Sequence, residues 1–195
     1  MATNSSPTSA GALLRLIREE VAVTRADLAR ATGLARSTVA QRVDALLEQQ
    51  LVYEAGGNPS TGGRPATVLA FNREAGVVLV ADLGATHARV AVSGLVGTPL
   101  AERTSDLDIA SGPEHALAWV AERFTELLDD VGRSNEDVQG IGIGVPGPVE
   151  FESGRPVIPP IMPGWDDFPI PEWFASRYSA PVLVELRRRV DAGLP

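Results

Sequence analysis

Cysteine is absent from the 195 residues, which excludes disulfides and thiolate metal sites. Histidine is scarce: His87 and His115 stand far apart in the chain, and two isolated imidazoles give a metal ion little to bind. No run of about 18 apolar residues occurs, so no transmembrane helix is expected. The opening MATNSSPTS lacks the charged and apolar regions of a signal peptide. A soluble cytoplasmic protein is the expectation. Positive charge is also in short supply, with 17 basic against 25 acidic residues and a net charge of −8. Such a balance argues at first against a nucleic-acid partner. The deficit is uneven, however. Residues 1–72 carry seven arginines against six acids, and residues 73–195 carry ten against nineteen. The first part is nearly neutral, so the placement of its arginines has to carry the argument.

What is present is arranged around residues 24–50, TRADLARATGLARSTVAQRVDALLEQQ. The spacing predicts two helices joined by a turn at Thr32-Gly33-Leu34. Thr24 is placed to cap the first helix, with Asp27 completing something close to a capping box. Leu28 and Ala29 are expected to face inward, and Gly33 supplies the backbone freedom that the turn requires. In the second helix Val39, Val43, Leu46 and Leu47 form one apolar stripe. The opposite face presents Ser37, Thr38, Gln41 and Ala45, with Arg42 on the flank. Small and polar groups near a helix N-terminus suit insertion into a DNA major groove. Ala35 stands where a Ser or Thr cap is preferred, a defect that costs about 1 kcal/mol.

Residues 1–9 are expected to be disordered, and Ala10 to Val21 follow a helical pattern that packs across the hairpin of helices. After Gln50, LVYEA and ATVLAFN flank GGNPSTGGRP. Two β-prone runs around a loop of Gly, Pro, Asn and Ser predict a β-hairpin with a long tip. Three helices and a hairpin make a winged helix-turn-helix. Arg64 lies at the wing tip between Gly63 and Pro65, placed to enter a minor groove, where narrow A·T stretches concentrate negative potential.

A boundary is expected at residues 73–75, giving a DNA-binding domain over 10–72. GVVLVADLG then reads as a strand buried on both faces. ARVAVSG and TPLAERTS follow as strands, Pro113–Val131 as an amphipathic helix, VQGIGIGVPGPV as another strand with a Gly/Pro turn, a short helix near Glu172–Tyr178, and APVLVE as the last strand. This order predicts an α/β layer with a mixed sheet. In DLGATHARVAV an acid at a strand end precedes Gly and Thr. Such a turn is either an ordinary β-turn, with Gly84 supplying an unusual dihedral, or a hairpin that handles phosphate.

Taken together, these pieces resemble the ROK family (repressors, open reading frames and sugar kinases) on its regulator branch. The resemblance rests on the winged helix, TGGRPA (Thr61–Ala66), DLGATHARVAV (Asp82–Val92), IGIGVPGPV (Ile141–Val149), MPGW (Met162–Trp165) and APVLVE (Ala180–Glu185), in the family's order and spacing. It implies an actin/ribonuclease H-like, sugar-kinase-like lobe over 73–185 behind the winged helix. It also implies a transcription regulator, a repressor in expectation, of sugar-related genes that binds double-stranded operator DNA and forms homo-oligomers. Carried onto matching positions, DNA contacts fall on Arg36, Ser37, Thr38, Gln41, Arg42 and Arg64. A vestigial phosphate hairpin falls on Asp82, Gly84 and Thr86, where the acid would help to organise a metal ion beside nucleotide phosphates.

The departures bear equally on function. Gly84-Ala85-Thr86 stands where active kinases of the family have Gly-Gly-Thr, and the added methyl crowds a phosphate. Pro159-Pro160-Ile161 replaces a segment with an Asn before the Pro-Gly-Trp element. After Val-Glu the family continues Asn-Asp, the Asp being the base for the sugar hydroxyl, whereas Glu185 is followed here by Leu186-Arg187-Arg188-Arg189. General-base catalysis has no agent at that position, so no enzyme and no cofactor are expected. Residues 186–195 read as a divergent tail. The family's second lobe does not fit into the sequence, so an incomplete sugar-sensing domain, from a truncated or frame-shifted reading frame, is the expectation. A sugar kinase is the alternative that needs the missing base and lobe. A winged-helix module that binds protein is the alternative opposed by the polar outer face of helix 35–49. His115 is expected in an exposed helical turn, His87 on a strand surface, and Trp119, Trp165 and Trp173 as packing groups. Asp166-Asp167 is expected to be solvated and Arg187–Arg189 to be a frayed end.

Overall fold

The computed structural model describes residues 9–57 and 67–187. The chain divides into two compact units between Ala75 and Gly76. Among the described residues no helix is long and apolar enough to cross a membrane.

The first unit contains α1 (Ala10–Arg18), α2 (Arg25–Thr32), α3 (Arg36–Glu48), β1 (Val52–Gly57) and β2 (Thr67–Phe71). Ser9 caps α1 by accepting the Ala12 N–H at 3.1 Å. The helix stops three residues before the apolar pattern does. Glu20 adopts a left-handed φ of 57°, and the Val21 and Ala22 amides turn back onto the Leu16 carbonyl. That turn leaves Val21 65% exposed and hands its core place to Ala22. At the start of α2, the Thr24 hydroxyl accepts the Asp27 N–H at 3.1 Å and donates to the Asp27 carboxylate at 2.7 Å. Gly33 ends the helix at φ 71° with its N–H on the Ala29 carbonyl, a conformation that side-chain-bearing residues disfavour. Val39, Val43 and Leu46 of α3 are buried against Leu13, Ile17 and Leu28, and Leu47 packs at the margin of that cluster. The strands pair antiparallel with Val52 opposite Phe71. A bulge between Glu54 and Gly57 contains Gly56 at φ 76°. Leu69 is buried in the same core, and its N–H donates to the Val23 carbonyl, in the connection between α1 and α2, at 2.7 Å.

The second unit is built on a mixed five-stranded sheet of β3 (Val77–Leu83), β4 (His87–Gly94), β5 (Pro99–Asp106), β6 (Val138–Val145) and β9 (Val182–Leu186), in the order β5-β4-β3-β6-β9. The first three strands are antiparallel neighbours, and β6 and β9 run parallel to β3. Helix α4 (Pro113–Asp130) lies between β5 and β6 in sequence. A small ribbon of β7 (Val149–Glu150) with β8 (Arg155–Pro156), and α5 (Ile170–Ala175), lie between β6 and β9. α5 begins two residues before the expected helix near Glu172–Tyr178 and ends before Tyr178, which is nevertheless buried. Leu117, Val120, Phe124 and Leu127 of α4 share one core with Leu79, Val90, Ile143, Trp165 and Phe174. Trp165 is fully enclosed, and its indole N–H donates to the Ile109 carbonyl at 3.1 Å. The PGW turn thereby anchors the long segment between β6 and α5 to the core.

The expectation that β3 is covered on both faces does not hold. Burial alternates along the strand, with Val77, Leu79, Ala81 and Leu83 enclosed and Val80 40% exposed. Leu183 on β9 is exposed to the same degree. Continuous hydrophobicity therefore reflects one packed face and one face left open among the described residues. The glycines of β6, at 140, 142 and 144, keep the open side of that strand flat, and a Cβ at Gly142 would meet nothing within 4 Å.

Candidate nucleic-acid interface

One arginine bridges α2, α3 and β1. Arg25, the first residue of α2, donates to Asp44 of α3 at 3.1 Å and to Glu54 of β1 at 3.0 Å. Partial burial works to lower its pKa, but the hydrogen bonds to Glu54 and Asp44 outweigh burial and hold the pKa above the ordinary arginine value. A permanently charged fork with two acceptors on different elements fixes their relative positions better than a single point charge does. Asp27 is held below the usual carboxylate range, first by the Thr24 hydroxyl and then by Arg30, whose guanidinium lies 2.8 Å from it.

On this frame the first turns of α3 are turned outward. Arg36, Ser37 and Gln41 are exposed and Thr38 is half-buried; helical spacing brings Ser37, Thr38 and Gln41 onto one face, while Arg36 stands apart from them at the first residue of the helix. Ala35 occupies the cap position in extended geometry with no side-chain hydrogen bond. The first amides of α3 therefore have no side-chain acceptor from their own cap. Arg42 differs from the other candidates. It is half-buried, and its Nη1 is enclosed without a hydrogen-bond partner among the described residues, so that edge of its guanidinium is not displayed. Arg64, the wing candidate, lies outside the described residues. β1 and β2 place Gly57 opposite Thr67, and residues 58–66 connect those two positions.

The second candidate cluster is the turn between β3 and β4, in the other unit. Asp82 stands near the end of β3 and His87 begins β4. The Gly84 N–H donates to the His87 carbonyl at 2.7 Å. The carbonyls of Ala85 and Thr86 accept the amides of Ile109 and Leu107. Gly84 has no positive φ, so its role is space and not an unusual dihedral. A Cβ there would lie 2.6 Å from Arg187 Nη1 and 2.9 Å from His87 Cε1. Sequence reasoning missed Arg187, read as part of a frayed end. Its Nε lies 2.7 Å from Asp82 Oδ1 and its Nη2 lies 3.1 Å from His87 Nε2. His87 is accordingly engaged at the hairpin as well as exposed. The signal was available in part: Arg187 follows β9 directly, and the ladder carries it to the end of β6.

The acid pair is likewise not merely solvated. Asp166 accepts the Ile158 N–H at 2.7 Å, and Asp167 is bridged by Arg155, which also reaches Glu172. Ile158, bonded to Asp166, adopts a left-handed φ of 41°, an unfavourable conformation for a β-branched residue. Among the described residues no cluster of metal-ligating side chains occurs. His115 is exposed in the first turn of α4, and the Trp173 indole donates to Glu114 at 2.9 Å.

Comparison with known proteins matches residues 10–53 to a winged helix-turn-helix DNA-binding family and residues 78–190 to the ROK family. Over 173 residues the chain is 28% identical to the putative xylose repressor of Caldicellulosiruptor sp. (strain Rt8B.4), a span of 89% of this chain and 43% of that protein. The xylose repressor of Bacillus subtilis (strain 168) is also 28% identical over 173 residues, covering 89% of this chain and 44% of that protein. A glucokinase of Thermotoga maritima is 30% identical over 104 residues, or 53% of this chain and 31% of the enzyme. Among solved structures, a ROK family transcriptional regulator described as a homolog of the E. coli MLC protein superposes with a TM-score of 0.72. It is 23% identical and covers 91% of this chain and 44% of its own, a likeness that speaks to fold. The chain spans less than half the length of the repressors that it matches.

Proposed function

Because this chain belongs to the ROK family, whose pattern occupies residues 78–190, we propose that it is a DNA-binding transcriptional repressor of sugar-related genes, acting without catalysis. The observation that carries this reading is the outer face of α3. Ser37 and Gln41 stand exposed there and Arg36 stands exposed at the first residue of the helix, beside amides that have no side-chain cap, on a helix whose other side is fixed in its own core. Uncapped amides and the positive end of the helix dipole favour an approaching phosphate. Ser37, Thr38 and Gln41 can then read base edges in the major groove while Arg36 reaches a phosphate or a guanine. Arg42 serves as a positioning group at the edge of the helix. Arg64, on the connection between β1 and β2, supplies a minor-groove contact. Nearly neutral net charge over residues 1–72 makes these few arginines the main source of attraction to the duplex.

The reading extends to self-association, which would present two such helices to two half-sites, to a sugar effector and to a cytoplasmic location. The relatives named xylose repressor support the sugar-related part. Kinase activity is opposed by the residues after Val-Glu, where Leu186 and Arg187 stand in the place of an amide and a carboxylate. The test is a titration of the pure protein against duplexes tiled across the DNA upstream of its own gene, followed by fluorescence anisotropy. Saturable binding to one tile, tightening as salt is lowered, supports the proposal. Equal, weak binding to all tiles removes the sequence-specific part of it.

A further inference from the structure

The hairpin between β3 and β4 is the element that the family resemblance associates with a metal-bound nucleotide, and the residues present do not fit that ligand. Any divalent cation held there would need a free oxygen on Asp82 and room in front of Gly84. Both are taken. Arg187 Nε lies 2.7 Å from Asp82 Oδ1, and Arg187 Nη1 lies so close over Gly84 that even a methyl group would overlap it. Its remaining edge faces His87 Nε2 at 3.1 Å. The side chain is aimed by the strand and is not a loose tail. The Arg187 N–H donates to the Val145 carbonyl at 2.7 Å, extending the β6–β9 ladder one residue beyond β9. The guanidinium thus reaches past β6 to the carboxylate at the end of β3, two strands away.

We infer that Arg187 is the resident cation of this hairpin: its guanidinium fills the space before Asp82 and above Gly84 in which a divalent metal ion bound to a nucleoside triphosphate would sit, so the lobe is closed to that class of ligand by its own chain. The chemistry of the donor set supports the assignment. A hard divalent cation draws carboxylate oxygens to about 2.0–2.6 Å and repels a permanent positive charge beside it. Guanidinium presents several donors in one plane, which lets one side chain satisfy a carboxylate and a neighbouring imidazole together. The inference is independent of the DNA-binding reading, since Arg187 and Asp82 lie in the other unit.

The test compares the wild-type chain, Arg187→Ala and the double variant Arg187→Ala/Asp82→Asn. Each is titrated with Mn²⁺ in the presence of the non-hydrolysable analogue adenosine 5′-(β,γ-imido)triphosphate, and bound Mn²⁺ is followed by electron paramagnetic resonance. The wild type is expected to bind no better than the double variant. Arg187→Ala is expected to bind about tenfold more tightly, the scale of effect seen when a group beside a metal ligand is changed. Asp82-dependent binding by the wild type, or equal binding by wild type and Arg187→Ala, overturns the inference. Arg187→Gln replaces the alanine variant should the latter fail to fold. A second readout needs no variant at residue 187. The Arg187 Nε–H resonance of the wild type should be protected from solvent exchange and should lose that protection in Asp82→Asn. An Nε–H that exchanges freely in the wild type contradicts the ion pair itself.

Discussion

Individual arginines divide by what already holds them. Arg25 is committed to Asp44 and Glu54, Arg30 to Asp27 and Arg187 to Asp82, whereas Arg36 stands exposed at the start of α3. Replacing Arg36 with alanine should therefore weaken duplex binding and reduce the slope of log K against log salt by about one, the signature of one lost phosphate contact. Unfolding in urea should be unchanged, because an exposed side chain outside the core is being removed. Asp27 makes a separate prediction. Its folded pKa lies below the ordinary value because the Thr24 hydroxyl, then Arg30, favour its charged form. The stability it contributes is present above the unfolded pKa, about 4, and is lost as pH falls through the lower folded value. NMR titration of the Asp27 carboxyl should show that depressed midpoint, and Thr24→Ala should bring it back toward the ordinary value. At this scale the sequence spoke clearly where a residue acts through its neighbours in the chain, as with Thr24 and Asp27. It was silent where the partner is remote. Nothing near Arg187 in sequence announces Asp82, more than a hundred positions away, and nothing around Arg42 announces that its Nη1 is enclosed.

Helices and strands were legible to the extent that periodicity fixes them. The stripe Val39, Val43, Leu46 gives α3 because these three residues fall on one side at helical spacing, and all three are buried. The end of α1 was not legible, because the apolar pattern continues to Val21 while the backbone has already reversed at Glu20. A hydrophobic pattern does not record left-handed residues. β3 misled for a related reason: an apolar run states that a strand can be covered on both sides, not that it is. Capping supplies the prediction at this scale. Ala35 lies at the cap of α3 with extended φ and ψ and no side-chain hydrogen bond, a geometry in which serine can accept an amide from the first turn. Ala35→Ser should raise the unfolding free energy by about 1 kcal/mol, read from the urea midpoint at unchanged m-value. The same hydroxyl would occupy an amide that the proposed function offers to a phosphate, so duplex affinity should not rise with stability.

As a whole the molecule is two units with separate cores, one gathered on Leu13, Leu28, Val43 and Leu69 and one on Leu79, Phe124, Ile143 and Trp165. The boundary expected at residues 73–75, where the charge balance also shifts, lies beside the division between Ala75 and Gly76. Residues 1–75 expressed alone should therefore fold, with a helical circular-dichroism spectrum and a single cooperative thermal transition. So small a core leaves little margin, and a featureless spectrum would mean that the second unit is needed to hold the first together. If that piece folds, it also isolates the central claim, that the exposed face of α3 grips a duplex. The most direct test is fluorescence anisotropy of residues 1–75 and of their Arg36→Ala variant against duplexes from upstream of the chain's own gene, at low ionic strength. The account predicts saturable binding that weakens steeply with salt and is reduced in the variant. A folded fragment that ignores every duplex, or that binds equally well without Arg36, contradicts it.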